Sequence, residues 1–145
     1  MKWQQGLYTI SSDQDDLDIE IIHDFLSASY WAKGIPKAVV RKAIQNSLAF
    51  GVYHEGGQIG FGRAITDRAT FAYLADVFIL PEFRGRGLGK WLISSILAHP
   101  ELQGLRRWLL ATSDAHGLYR QMGFVSPKKP ENIMEINIPY IYQRK

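Results

Sequence analysis

Hydrophobic and polar positions change their period along the chain, and each change marks an element. Leu7–Ser11 alternates as a short strand. Asp13–Asp16 then offers helix caps, and Ile19, Ile22, Phe25 and Leu26 form a helical stripe to about Ser29. Gly34-Ile35-Pro36 closes that segment and opens a second helix, whose face carries Val40, Ala43, Ile44 and Ser47. Strand periods follow over Leu48–Glu55 and Gln58–Asp67, joined by Gly56-Gly57, a two-residue hairpin signal. Thr70–Leu80 is β-branched and aromatic and predicts a long strand. It is closed by Pro81, which has no amide for a ladder. The spacing of Leu88, Trp91, Leu92, Ser95 and Ile96 predicts a helix over Gly87–His99. Arg107–Thr112 reads as a strand. A short helix capped by Asp114 runs to Met122, with Gly123 at its C′ position. Further strands are expected from Phe124 and over Ile133–Ile138. This order predicts one domain (residues 1–145) with a mixed sheet and helices on its faces.

Composition narrows the chemistry. The 145 residues include no Cys, which excludes disulfides, thiolate nucleophiles and Cys-ligated metals. The four His (His23, His54, His99, His116) lack the i, i+4 spacing of a helical metal pair, so no metal is expected. His54 and His99 are expected in solvent. The apolar run around Thr70–Leu80 is broken by Asp76 and too short for a bilayer. A soluble, cytoplasmic protein without membrane partners is the expectation. Charge is uneven: the first 24 residues hold six acids against Lys2, the rest 16 bases against 8 acids. A net charge of +3 does not argue for nucleic acid, but the cluster Arg84, Arg86, Lys90 suits a small polyanion.

That cluster lies where a strand ends and a helix starts, in Pro81-Glu82-Phe83-Arg84-Gly85-Arg86-Gly87-Leu88-Gly89-Lys90. The first amides of a helix lack internal partners and are usually met by Ser, Thr, Asp or Asn. None of these occurs between Leu80 and Lys90. Three glycines leave the amides uncovered, and helix polarity adds attraction for an anion. The segment therefore reads as a diphosphate cradle. It fits neither a Walker loop, which needs four residues between its glycines, nor a G-x-G-x-x-G dinucleotide turn.

Arg84, Gly87 and Gly89 match [Q/R]-x-x-G-x-[G/A], and this segment resembles the acyl-CoA signature of the GNAT superfamily of N-acetyltransferases. Downstream, Asp114-Ala115-His116-Gly117-Leu118-Tyr119-Arg120-Gln121-Met122-Gly123-Phe124 is similar to the family's short helix ending in Tyr-x-x-x-Gly-Phe. The element order agrees as well. The resemblance implies an α/β (α+β) fold: a mixed, mostly antiparallel sheet of six to seven strands with helices on both faces. It implies an acyltransferase using acetyl-CoA as donor, with direct attack by an amine in a ternary complex. The acceptor would be a small-molecule or peptide amine, and a homodimer is among the implied partners. The alternative is a non-catalytic CoA-binding sensor or subunit on the same fold.

Carried over residue by residue, the resemblance gives the backbone of Val77, Phe78 and Ile79 to the pantetheine arm. It gives Arg84, Gly85, Arg86, Gly87, Leu88, Gly89 and Lys90 to the diphosphate, and Tyr119 to protonating the CoA thiolate. Thr112 and Asp114 are candidates for CoA contacts, Asp114 having a cap as its other reading. Asp76 is the candidate base, since a charge in an apolar strand is costly unless paired or used. Pairing with an arginine is the equal alternative, and Tyr73, His23, His116 or a water chain are rivals. Tyr30-Trp31 is placed by the resemblance at the border of the acceptor site.

Overall fold

Asp18 starts the first long helix in the computed structural model, which describes residues 1–143: its carboxylate accepts from the amides of Glu20 and Ile21. That helix, α1 (Ile19–Ala28), is followed by α2 (Lys37–Gln45), α3 (Leu88–Leu97) and α4 (His116–Gln121). The strands are β1 (Lys2–Gln5), β2 (Tyr8–Ser11), β3 (Leu48–His54), β4 (Gly57–Thr66), β5 (Phe71–Ile79) and β6 (Arg107–Leu109). They form one six-stranded sheet in chain order, antiparallel except for the parallel pair β5–β6. The mixed α/β sheet with helices on both faces is thus the observed fold.

Each face of the sheet has its own core. Ile22, Leu26, Val40 and Ile44 of α1 and α2 pack on Ala49, Phe61 and Phe78. Leu88, Leu92, Ile93 and Ile96 of α3 pack on Phe50, Val52, Ala64 and Leu74 from the opposite face. Fully burying one such side chain contributes about 1.5–3 kcal/mol, so the two layers fix the sheet between them. Phe78 stacks on Phe25 with centroids 3.9 Å apart, which pins α1 over the end of β5.

Several expectations change at the ends of the chain. β1 was not expected, because Trp3 is its lone apolar residue; its ladder with β2 and Gly6 at φ +58° supply what side-chain patterning does not. The strands expected at Phe124 and Ile133–Ile138 do not join the sheet. His99 is buried, not solvated (6% exposed): its Nδ1 accepts from the Glu101 amide and its ring meets Phe50 edge-on. Among the described residues no helix is long and apolar enough to cross a membrane, and no three His, Asp or Glu side chains gather as metal ligands.

Candidate active site

The site begins where β5 stops behaving as a regular strand. Arg63 faces Ala75 and Phe61 faces Phe78, so Gly62 alone opposes both Asp76 and Val77. This is a β-bulge, and Asp76 takes the left-handed conformation at φ +56°. Asp is among the residues that tolerate that region. On the other edge, β6 pairs only with Phe71–Tyr73. Beyond that point the two parallel strands part, leaving the backbone of Asp76–Ile79 facing a cleft rather than a ladder.

Asp76 is paired. Arg63 Nε donates to its Oδ2 at 2.7 Å, and Trp31 Nε1 donates to its Oδ1 at 2.8 Å. The two charged side chains are only 12% and 16% exposed. Of the two readings for this carboxylate, free base or arginine partner, the ion pair is the one found. Each oxygen has one donor, so the carboxylate is held in place by Arg63 and Trp31. Among its rivals, His23 has its Nε2 2.9 Å from the Ile35 carbonyl oxygen, a hydrogen bond that ties α1 to the following loop.

At the end of β5 the chain turns through Pro81–Phe83 and enters α3 at Gly87, which sits at φ +76° with no side-chain cap. Gly85 is also left-handed, at φ +79°. No hydrogen bond from the amides of Gly85 to Lys90 is found among the described residues. A Cβ on Gly85 or Gly87 would meet nothing within 4 Å, so the space beside these amides is open. A Cβ on Gly89 would only touch Leu118 at an ordinary contact distance. Two of the cations are tethered. Arg84 Nε donates to the Ile79 carbonyl at 2.9 Å, and Arg86 donates to the Tyr8 hydroxyl while lying over the Phe83 ring. Arg84 thereby fixes the loop to the strand end, a positioning role that the charge cluster alone did not reveal.

The helix carrying Tyr119 is closed by Gly123 at φ +99°, and the Phe124 amide returns to the Tyr119 carbonyl at 3.0 Å. The Phe124 ring then meets the Tyr119 ring edge-on at 5.8 Å. The Tyr-x-x-x-Gly-Phe spacing therefore has a local cause: a left-handed cap turns the phenylalanine back to brace the tyrosine. At the other end Thr112 Oγ1 accepts from the amides of Ala115 and Asp114. This corrects the cap assignment: Thr112 organises the turn, and Asp114 does not cap. Burial, with smaller contributions from Tyr30 and Asp114, pushes the Tyr119 phenol above its ordinary range near 10.

Two cavities meet at this tyrosine. One, of about 430 Å³, runs along Val77, Phe78 and Ile79 to the loop Arg84–Lys90. The other, of about 490 Å³, is walled by Tyr30, Trp31, Tyr73, Asp76 and Arg63. Tyr119, Val77, Trp31 and Asp114 border both.

Residues 45–126, more than half of the chain, match the family described as the acetyltransferase (GNAT) domain. The chain belongs to the GNAT acetyltransferase family. A Gibberella zeae protein classed as an acetyltransferase is 31% identical, over 96% of this chain and 91% of its own length. A solved GNAT-family structure from Xanthomonas campestris pv. campestris is 51% identical, covers 97% of this chain and 100% of its own, and superposes with a TM-score of 0.93. At 14% identity, a Clostridium acetobutylicum acetyltransferase solved with acetyl-CoA shares the fold, with a TM-score of 0.64 over 90% of this chain and 94% of its own.

In this GNAT acetyltransferase the fold brings Val77–Ile79, Arg84, Gly85, Gly87–Lys90, Asp114 and Tyr119 around one cleft, while Arg86 of the same loop turns to the Tyr8 hydroxyl. Thr112 and Asp76 fall instead in the neighbouring cavity. Sequence reasoning did not find Arg63. A lone cation in the apolar stretch Gln58–Asp67 was the available signal, because it needs a buried counter-charge and Asp76 supplies one.

Proposed function

We propose that this enzyme transfers the acetyl group of acetyl-CoA to a primary amine by direct attack in a ternary complex. The observation that carries the reading is Tyr119, which borders both the cleft under the uncapped α3 and the aromatic cavity beside it. In this reading the amides of Gly85–Lys90 hold the diphosphate, helped by Arg86 and Lys90. The edge of Val77–Ile79 pairs with the pantetheine arm, and an amide near Ile79 polarises the thioester carbonyl. One such preorganised donor is worth roughly 10²–10³ in rate.

The amine enters from the cavity walled by Tyr30, Trp31 and Tyr73. Its nitrogen bonds to the thioester carbon as the carbon–sulfur bond breaks. The departing thiolate takes the Tyr119 proton, and the proton lost by the amine leaves through water in the open cavity. A phenol held above its ordinary range stays protonated at neutral pH, as an acid must. Asp76, fixed by Arg63 and Trp31, shapes the wall of the cavity that the amine enters.

The test is release of CoA thiol from acetyl-CoA across a panel of small amines and peptides. Turnover with at least one acceptor is expected. Saturable acetyl-CoA binding with no thiol release across the panel would make the chain a CoA-binding sensor or subunit instead.

A further inference from the structure

Arg63 has more donors than the protein uses. A guanidinium carries N–H donors on all three nitrogens, and the ion pair with Asp76 takes only the one on Nε. Among the described residues neither Nη1 nor Nη2 has a hydrogen-bond partner, although the side chain is only 16% exposed. An arginine serving the ion pair alone would meet its carboxylate with two parallel N–H groups, because a donor hidden without a partner is costly. No enclosed side-chain nitrogen is left unpartnered among the described residues, so the two terminal nitrogens reach the cavity that Arg63 lines. Their planar fork is the shape that a carboxylate fits.

The position of Arg63 decides which part of a ligand meets it. Tyr119 and Asp114 border both cavities and so mark their junction, whereas Arg63 and Tyr73 border only the aromatic one. At the junction, the Asp114 carboxylate has no hydrogen-bond partner among the described residues. The cavity therefore has unspent donors away from the junction and an unspent carboxylate at it. A zwitterion with its amine toward Tyr119 matches both. A polyamine would leave the Nη donors unmet and set further cations beside Arg63. A peptide N-terminus or a protein lysine brings only neutral carbonyls near its amine. Tyr30 and Trp31, 60% and 43% exposed, offer uncovered ring faces to an apolar side chain.

Resting on the acetyl-transfer reading above, we propose that the acceptor is a free amino acid with an apolar side chain, its carboxylate on the Nη fork of Arg63 and its amine at the Tyr119 junction. Asp76 then orients the fork: it fixes Nε, as Trp31 fixes Asp76. Arg63 selects and holds the acceptor and takes no part in proton transfer.

The test compares L-phenylalanine and L-leucine, each with its amide and with its decarboxylated amine, phenethylamine or isoamylamine. For each acid kcat/KM is expected about ten- to a hundredfold above its two analogues, the range of a hydrogen bond to a charged group, with the difference in KM. The amide's amine is less basic than the acid's, so more of it is unprotonated at neutral pH and reactivity alone favours the amide. A preference for the acid therefore reads binding. Arg63→Lys keeps a cation beside Asp76 but has no fork. Arg63→Gln combined with Asp76→Asn removes both charges, so neither is left buried alone. Both variants should raise KM for the acid and bring the acid-to-amide ratio toward unity, with acetyl-CoA affinity unchanged. Acids used no better than their amides, or a ratio unmoved in both variants, overturn the proposal. If no amine is acetylated, the transfer reading itself fails, and calorimetry reads Arg63 separately. N-acetyl-L-phenylalanine should then bind and N-acetyl-L-phenylalaninamide should not; equal binding, or none of either, overturns the proposal as well.

Discussion

Trp31 and Asp76 are 45 residues apart in sequence and joined by a 2.8 Å hydrogen bond from the indole Nε1 to the carboxylate. The bond ties the turn after α1 to the bulge of β5, and Arg63 takes the other carboxylate oxygen. A left-handed aspartate is thus held from two sides at the mouth of the aromatic cavity.

Because Asp76 is held rather than free, Asp76→Asn should lower kcat by less than about tenfold while raising KM for the amine. A general base would cost about 10²–10⁴ in kcat instead. Asp76→Ala leaves the Arg63 charge largely buried and unpaired, a loss of about 3 kcal/mol. That loss should appear as a lower urea midpoint. A collapse of kcat in Asp76→Asn with an unchanged acceptor KM would restore Asp76 as the base.

Tyr119→Phe keeps the ring braced by Phe124 and removes only the proton. It should reduce kcat by about 10²–10⁴ and leave acetyl-CoA affinity unchanged. The raised phenol also sets the parent's alkaline limit: an acid is active while protonated, so its loss of kcat should lie above pH 10. An alkaline limb that persists in Tyr119→Phe would belong to another group.

Tyr53 makes a second prediction of the same sign. Its hydroxyl donates to the Asp16 carbonyl at 2.8 Å, and burial, then the nearby charges of Asp16, Asp13 and Asp18, hold the phenol well above its ordinary range. The folded state therefore keeps a proton that the unfolded chain gives up near pH 10. Stability from this group is complete below about pH 10 and declines as pH rises further. Urea midpoints measured from neutral to strongly alkaline pH should stay level, then fall. Tyr53→Phe should start lower, by about 1 kcal/mol for the lost hydrogen bond, and fall less steeply.

Much of this architecture could be read from the chain because local signals and tertiary packing agree. Ile22 and Leu26 face a core and Gly87 follows an uncapped turn, short-range facts that the fold preserves. The expected hairpin also forms, but its two loop residues are Glu55 and Gly56, both at positive φ, and Gly57 already pairs with His54 as the first residue of β4. What could not be read depends on distant partners. β1 exists through its ladder with β2 rather than through its own pattern. Arg63 has meaning only beside Asp76, and the order of strands, not sequence spacing, brings them together. The turn held by Thr112 was missed because Asp114 stands nearer the helix, yet α4 has no side-chain cap and the hydroxyl takes the amides of the preceding turn. Ile133–Ile138 is a strand by pattern with no pairing partner in its own sheet.

Gly87 provides the sharpest test of the diphosphate cradle, because a matched control exists. Gly87 and Gly104 share φ +76°, and a Cβ on either would meet nothing within 4 Å. Any side chain therefore brings similar backbone strain at both, about 1–2 kcal/mol, and no clash. Gly104 lies in the turn before β6, away from the cleft lined by Gly87. Acetyl-CoA at about a hundred times its Kd should stabilise the parent by about 2.7 kcal/mol, seen as a rise in Tm. Gly104→Glu should lower the starting Tm and keep the rise. Gly87→Glu should lower it comparably and lose the rise, because its carboxylate occupies space beside the bare amides. Equal retention in both variants would mean that these amides do not hold the diphosphate, since only their occupation by an anion distinguishes the two glycines.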